Sequence, residues 1–164
     1  MPEEADTPDG MRRWLDGSLA ATSSGNQQPF ATIEVASGGV VGSTRYLAIE
    51  PGHRRVEIGA TWLSDMARGR GLNDDAKALL LRHAFEVLGC QRVEFKTDAR
   101  NARSRGALAG IGATIEGIAR KHMISHGGRT RDSAWYSVVD DDWPSVSALL
   151  ETRLQRHLTD ANVS

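Results

Sequence analysis

The chain has 164 residues, 40% hydrophobic and 25% charged, proportions that suit one globular domain around one core. With 20 basic against 21 acidic side chains its formal net charge is -1, so no global field is available to hold a nucleic acid or an acidic membrane surface. The single cysteine, Cys90, excludes an intramolecular disulfide and no run of about 18 apolar residues offers a membrane span, so the expectation is a cytoplasmic protein.

Residues 1–10 carry four acids, two prolines and no apolar period, and are expected to form a disordered lead to a single domain over residues 11–160. Met11, Trp14, Leu15 and Leu19 recur at helical spacing before Ser23-Ser24-Gly25-Asn26 breaks the pattern, which predicts a short amphipathic helix. Pro29 to Val35 and Val40 to Ile49 are β-prone runs around Gly38-Gly39, and Arg54 to Leu63 gives a third strand. In that third strand the alternation places Val56, Ile58, Ala60 and Trp62 on one face and Glu57, Gly59 and Thr61 on the other.

Between Met66 and Leu88 the period changes to three and four, through Leu72, Ala76, Leu79, Leu80, His83, Ala84, Val87 and Leu88, with Gly89 as a stop. A strand at Arg92–Thr97, a helix at Asn101–Ile111, a hairpin from Thr114–Ile124 to Thr130–Val139 and a last helix after Asp142-Trp143-Pro144 follow. The last helix carries the stripe Val146, Leu149, Leu150, Leu154 and Leu158. The order predicts an α+β fold: a mixed, mostly antiparallel sheet flanked by helices.

Chemistry concentrates at Arg68-Gly69-Arg70-Gly71-Leu72-Asn73, between a strand and the longest helix. Glycines let the backbone approach an anion, and the helix start beyond them presents unpaired N–H groups, so a pyrophosphate could rest there with Arg68 and Arg70 adding charge. A glycine-rich turn with two solvated arginines fits the same six residues, and context has to decide. A Walker loop does not fit, because no Lys-Ser or Lys-Thr follows the glycines, and neither does G-x-G-x-x-G. His122 and His126 straddle a strand end and a turn, so no metal is expected there.

Arg68-x-x-Gly71-x-Asn73, placed after a strand and before a helix, resembles the acetyl-CoA pyrophosphate loop of the GCN5-related N-acetyltransferases. Val56 to Leu63 before it, Arg92 to Asp98 and Asn101 to Ser104 after it, and Glu116-Gly117 with Arg120 and Asp132 are similar to the RimJ/RimL-like branch, which modifies ribosomal protein N-termini. The resemblance implies two central strands, residues 54–63 and 92–97, that splay to admit acetyl-CoA. It implies that Trp62 and Leu63 offer backbone groups to the pantetheine arm and that the amides from Gly69 through Arg70, Gly71 and Leu72 to Asn73 take the pyrophosphate. Asn101 would bond the arm or its thiol end, with Ser104 near the sulfur.

The implied reaction is direct acetyl transfer to a primary amine, at a protein N-terminus or on a small molecule, and it needs no metal. Glu57, mid-strand opposite Val56 and Ile58, is the candidate base, with a solvated carboxylate or an ion pair to Arg54 or Arg55 as its plainer role; Ser104 is the candidate donor to the leaving sulfur, or an ordinary first-turn helix serine. Arg100, Arg103 and Arg105 could meet the cofactor's ribose phosphate, but cations near a helix start are more often solvated, and they are left out of the expected site. Two departures from the family pattern stand out. Asp74-Asp75 follows the loop where relatives place a hydroxyl residue, and such an acid would compete with phosphate for the same amides. Relatives also begin with a strand and helix that the ten residues before Met11 do not supply, which leaves a sheet edge for a homodimer to cover and a catalytically weak acyl-CoA-binding module as the alternative function.

Overall fold

A computed structural model describes residues 7–161. The elements in chain order are α1 (Pro8–Thr22), β1 (Gln28–Glu34), β2 (Gly39–Glu50), β3 (Arg55–Leu63), α2 (Leu72–Arg82), β4 (Arg92–Asp98), α3 (Ala102–Gly110), β5 (Thr114–Ile124), β6 (Thr130–Val139) and α4 (Trp143–Ala161). Helix α1 starts three residues earlier than expected. The Thr7 hydroxyl accepts from the Gly10 amide at 3.1 Å and Pro8 occupies the first turn, so the last residues of the acidic lead are helical. Residues 1–6 lie outside those described.

The strands form one six-stranded sheet in the order β1-β2-β3-β4-β6-β5. Every pairing is antiparallel except that of β3 with β4, which runs parallel through three residue pairs, Arg55 with Arg92, Val56 with Val93 and Glu57 with Glu94. Beyond Glu57 and Glu94 the two strands part company, the fork that the family resemblance implies. The core fills one face of the sheet. Tyr46, Val56, Ile58, Val93, Phe95, Ala134, Tyr136 and Val138 pack against Ala78, Leu81 and Ala84 of the α2 segment, Leu108 of α3, and Val146 and Leu150 of α4.

Two helices turn differently from the apolar count. The buried face of α2 runs through Asp74, Lys77, Ala78 and Leu81, while Leu79 is exposed. Its C-terminal extension widens into a π turn over His83–Val87, leaving Val87 and Leu88 exposed. In α1 the buried residues are Gly10 and Ser18, and Leu15 and Leu19 are exposed. The α4 stripe buries Val146 and Leu150 but leaves Leu149 partly exposed; the side chain of Leu158 lies outside those described.

The predicted faces of β3 also need correction. Arg45 pairs with Gly59 and Ser43 with Trp62, so two steps of β2 face three steps of β3, and Ala60 takes φ +48 in the left-handed region. This bulge resets the alternation. Because Ser43 and Arg45 share a face, Trp62 joins Gly59 and Glu57 and leaves the side of Val56 and Ile58. Gly42 makes the close approach possible, since a Cβ there would lie 2.3 Å from the Trp62 carbonyl oxygen.

Candidate active site

A cleft of about 610 Å³ opens between the end of β3, the loop before α2 and the start of α3. Of the residues expected to hold the cofactor, Trp62, Leu63, Arg68, Gly69, Asn73 and Asn101 line it, and so does Ser104. The first helical hydrogen bonds of α2 run from the Asp74 and Asp75 amides to the Gly71 carbonyl at 2.9 and 3.0 Å, which leaves the preceding amides for the loop. Gly69 has φ +75, and a Cβ built on it meets no atom within 4 Å, so the space before it is open.

Arg70, Gly71 and Leu72 do not line the cleft. Arg70 Nη2 reaches the Glu34 carboxylate at 2.6 Å, and Leu72 borders a smaller apolar groove under β1. Gly71 has φ +78 and touches α4, because a Cβ there would come within 2.7 Å of the His157 ring. A contribution from these three to ligand binding therefore runs through their main chain. Arg68 lies beside Asp65, and its guanidinium is partly exposed at the mouth.

The first turn of α2 is less hostile to an anion than its sequence suggests. Asp74 is buried and its carboxylate accepts from Arg153 Nη2 at 2.7 Å and Nε at 2.9 Å, with His157 Nε2 at 3.6 Å. Neither Asp74 nor Asp75 lines the cleft. The expected competition for the loop amides is thereby corrected by a partner 79 residues away in the chain.

Asn101 caps α3 with its side-chain oxygen on the Ser104 amide at 3.0 Å, which keeps its NH2 group for a ligand. Ser104 follows on the same wall, partly buried. Trp62 brings an unsatisfied group: its indole Nε1 is buried with no hydrogen-bond partner among the described residues. The ring packs edge-on against Trp14 of α1 at 6.0 Å, and the Arg45 guanidinium lies 5.0 Å from the Trp14 centroid. Arg45 donates to Ser18 Oγ at 2.9 Å, and these contacts dock α1 onto the sheet.

Glu57 lies outside the cleft lining, at the fork, on the sheet face away from Val56 and Ile58. Glu57 is 5% exposed and its carboxylate accepts from Lys96 Nζ at 2.7 Å, while Lys96 lies 4.8 Å over the Trp135 ring. The expected partners are occupied elsewhere: Arg54 donates to the Gly89 carbonyl and Arg55 pairs with Glu50 and Glu94. On the same face Arg92 bridges Glu94 and Glu116; that pairing, helped by the Ser137 hydroxyl, holds the Glu116 carboxyl down at about 2.

Two charged cleft residues stand outside the expected site. Arg103, read as a solvated cation, lines the wall of α3, whereas Arg105 is tied to the Ala99 carbonyl and the Tyr136 hydroxyl. Lys77 lines the floor, is 7% exposed and donates to Asn73 Oδ1 at 2.8 Å. Burial drives its amine down to about 8, against the opposing pull of Asp74. The usable sequence signal was the four-residue spacing from Asn73.

The comparisons with known proteins agree with this geometry. The family model for the acetyltransferase (GNAT) domain matches residues 1–114. The Bacillus subtilis protein named "Putative ribosomal N-acetyltransferase YdaF" is 32% identical over 91 residues, 56% of this chain and 49% of its own, so the chain spans about half the length of that relative. A crystal structure of a "putative acetyltransferase" from T. thermophilus superposes with a TM-score of 0.81 at 41% identity, over 90% of this chain and 76% of that one. A GCN5-related N-acetyltransferase from Brucella melitensis gives a TM-score of 0.82 at 33% identity, over 90% and 65%. Mycobacterium smegmatis RimJ, solved with CoA-disulfide, shares the fold at 24% identity and a TM-score of 0.76 over 91% and 70% of the two chains.

Proposed function

The chain belongs to the GNAT acetyltransferase family, in its RimJ/RimL-like branch, and from that premise we propose that it moves an acetyl group from acetyl-CoA to a primary amine. The observation that carries the proposal is the fork: β3 and β4 part after three residue pairs, and the N-terminus of α2 opens on the resulting cleft. The residues present fit an acyl-CoA. Open space before Gly69 suits a bulky anion, the orphaned Trp62 Nε1 lacks an acceptor, and the bulge at Ala60 takes residues 60 and 61 out of register with β2 beside it. Bound there, acetyl-CoA would supply the activated acetyl group.

The work left to the protein is to orient the thioester, accept a proton from the amine and donate to the departing sulfur. Asn101 and Ser104, which line the cleft, are the candidates for the first and last. Glu57 is the candidate for the second, with Lys96 holding its carboxylate at the fork. The name of YdaF favours a protein N-terminus as acceptor, and the CoA-disulfide in RimJ favours the CoA reading of the cleft. No described helix is long and apolar enough to cross a membrane, and cytoplasmic residence fits the lone buried Cys90.

Incubation with acetyl-CoA and a panel of peptide and small amines, read by mass spectrometry, tests the activity; absence of any +acetyl product together with no calorimetric heat from acetyl-CoA would overturn it. Gly69→Glu, which puts a charge into the open space, should remove the heat. A second reading, a catalytically weak acyl-CoA-binding module, draws on the Glu57–Lys96 ion pair, which occupies the candidate base. Heat without any product would favour it.

We also propose a homodimer over the β1 side of the sheet. β1 is an edge strand, and Ile33, Val35 and Val40 there and Leu15 and Leu19 on α1 are exposed. Trp14 is a poor probe of this surface because it packs on Trp62 inside the cleft. Light scattering with Ile33→Lys is the test: a monomer in the unaltered protein would exclude the dimer.

A further inference from the structure

We propose that Lys77 is a cofactor-binding residue whose ammonium takes an oxygen of the acetyl-CoA diphosphate at the open N-terminus of α2. The assignment rests on the acyl-CoA reading of the cleft and deepens it.

Lys77 follows Asn73 by one helical turn on the same face, and helical side chains lean toward the N-terminus of their helix. The lysine follows that lean, and its Nζ stops at the Asn73 amide oxygen, level with the loop from Arg68 to Asn73. An ammonium has three N–H donors. Among the described residues, Asn73 Oδ1 is the acceptor within hydrogen-bond distance, and it is neutral. The nearest carboxylate, Asp74, is committed to Arg153 and His157 of α4.

A buried cation with one neutral partner is short of compensation, and desolvation accordingly lowers its affinity for a proton. An anion in the cleft would correct the shortfall. Within acetyl-CoA the acyl and pantetheine parts are uncharged, so only phosphate can do this, and the α2 amides and Arg68 favour phosphate at the same end of the cleft. The charged groups around Lys77 are Arg68 from the loop, Arg103 from α3, and Asp74 with Arg153 and His157; β3 contributes Thr61, Trp62 and Leu63, none of them titratable. A lysine lowered to about 8 changes charge between about pH 7.5 and 9.5.

The test is calorimetry of the full chain with acetyl-CoA and with S-acetylpantetheine, which lacks the diphosphate, from pH 7 to 9.5. Lys77→Met should weaken acetyl-CoA by about 10- to 100-fold at pH 7, the range of a hydrogen bond to a charged group. The unaltered protein should lose affinity toward that of the variant as pH rises through about 8 to 9, while the variant stays flat. S-Acetylpantetheine should bind both alike. Lys77→Gln, which keeps a donor for Asn73 without the charge, should behave as Lys77→Met. Equal acetyl-CoA affinity in all three proteins overturns the assignment, and so does an equal loss for both ligands, which would make Lys77 a scaffold of the helix. If the unaltered protein binds neither ligand, the acyl-CoA reading falls and takes this one with it.

Discussion

Two lysines stand on opposite faces of the sheet and keep different company. Lys96 has a carboxylate at 2.7 Å and an aromatic face at 4.8 Å, whereas Lys77, more deeply buried, has one neutral amide. The first is a completed interaction whose removal leaves Glu57 buried alone. The second is an incomplete one, and incompleteness in a cleft is a better pointer to a ligand than is charge by itself.

The paired side gives the largest expected effect. Glu57→Gln should lower turnover by about 10²-fold at neutral pH with acetyl-CoA affinity nearly unchanged, as loss of a general base does. Initial rates on whichever amine the panel identifies decide this, and an unchanged rate removes Glu57 from the chemistry.

The unpaired side predicts a gain. The Lys77 amine lies at about 8 in the folded protein, below the ordinary 10.5, so keeping it protonated opposes folding below about pH 8. Stability from this group should therefore rise between about pH 8 and 10.5. Lys77→Met should be more stable at pH 7 by about 2 kcal/mol and lose that advantage toward pH 10, as followed by urea unfolding. A variant that is less stable at pH 7 would show that the ammonium is already well accommodated.

Smaller effects sharpen the same contrast. Arg153→Met removes the guanidinium paired with the buried Asp74 and should destabilise by about 1 to 2 kcal/mol, which chemical denaturation will show. Glu116 is held at about 2, below its ordinary 4.5, so its contribution is present above about pH 4.5 and is lost as pH falls toward 2. Its partly exposed side chain limits the effect: Glu116→Gln should cost under about 1 kcal/mol at pH 7, with the gap closing by pH 2 in thermal melts.

The same charges mark what the sequence could and could not disclose. Strand and helix order was legible because period-2 and period-3.6 patterns alternate cleanly along the chain, and the loop from Arg68 to Asn73 was legible because its glycines stand between a strand and a helix. The orientation of α2 was not. Its buried face carries Asp74 and Lys77, so counting apolar residues selected the neighbouring stripe through Leu79. Alternation puts Trp62 on the wrong face, because a left-handed Ala60 is invisible in a pattern of alternating side chains. Local sequence makes Asp74 a competitor for the loop amides, because nothing nearby in the chain announces a partner on α4.

The three residue pairs that join β3 to β4 have a mechanical meaning as well. They are the sheet's narrowest seam, with β1, β2 and β3 on one side and β4, β6 and β5 on the other. A molecule wedged into the fork and gripped by both halves would act as a rivet across that seam. Partial opening should then be rarer with acetyl-CoA bound, and the amides of residues 55–57 and 92–94 should exchange hydrogen for deuterium more slowly than in the free protein. The two outer hairpins, each zipped by its own antiparallel ladder, should hardly notice.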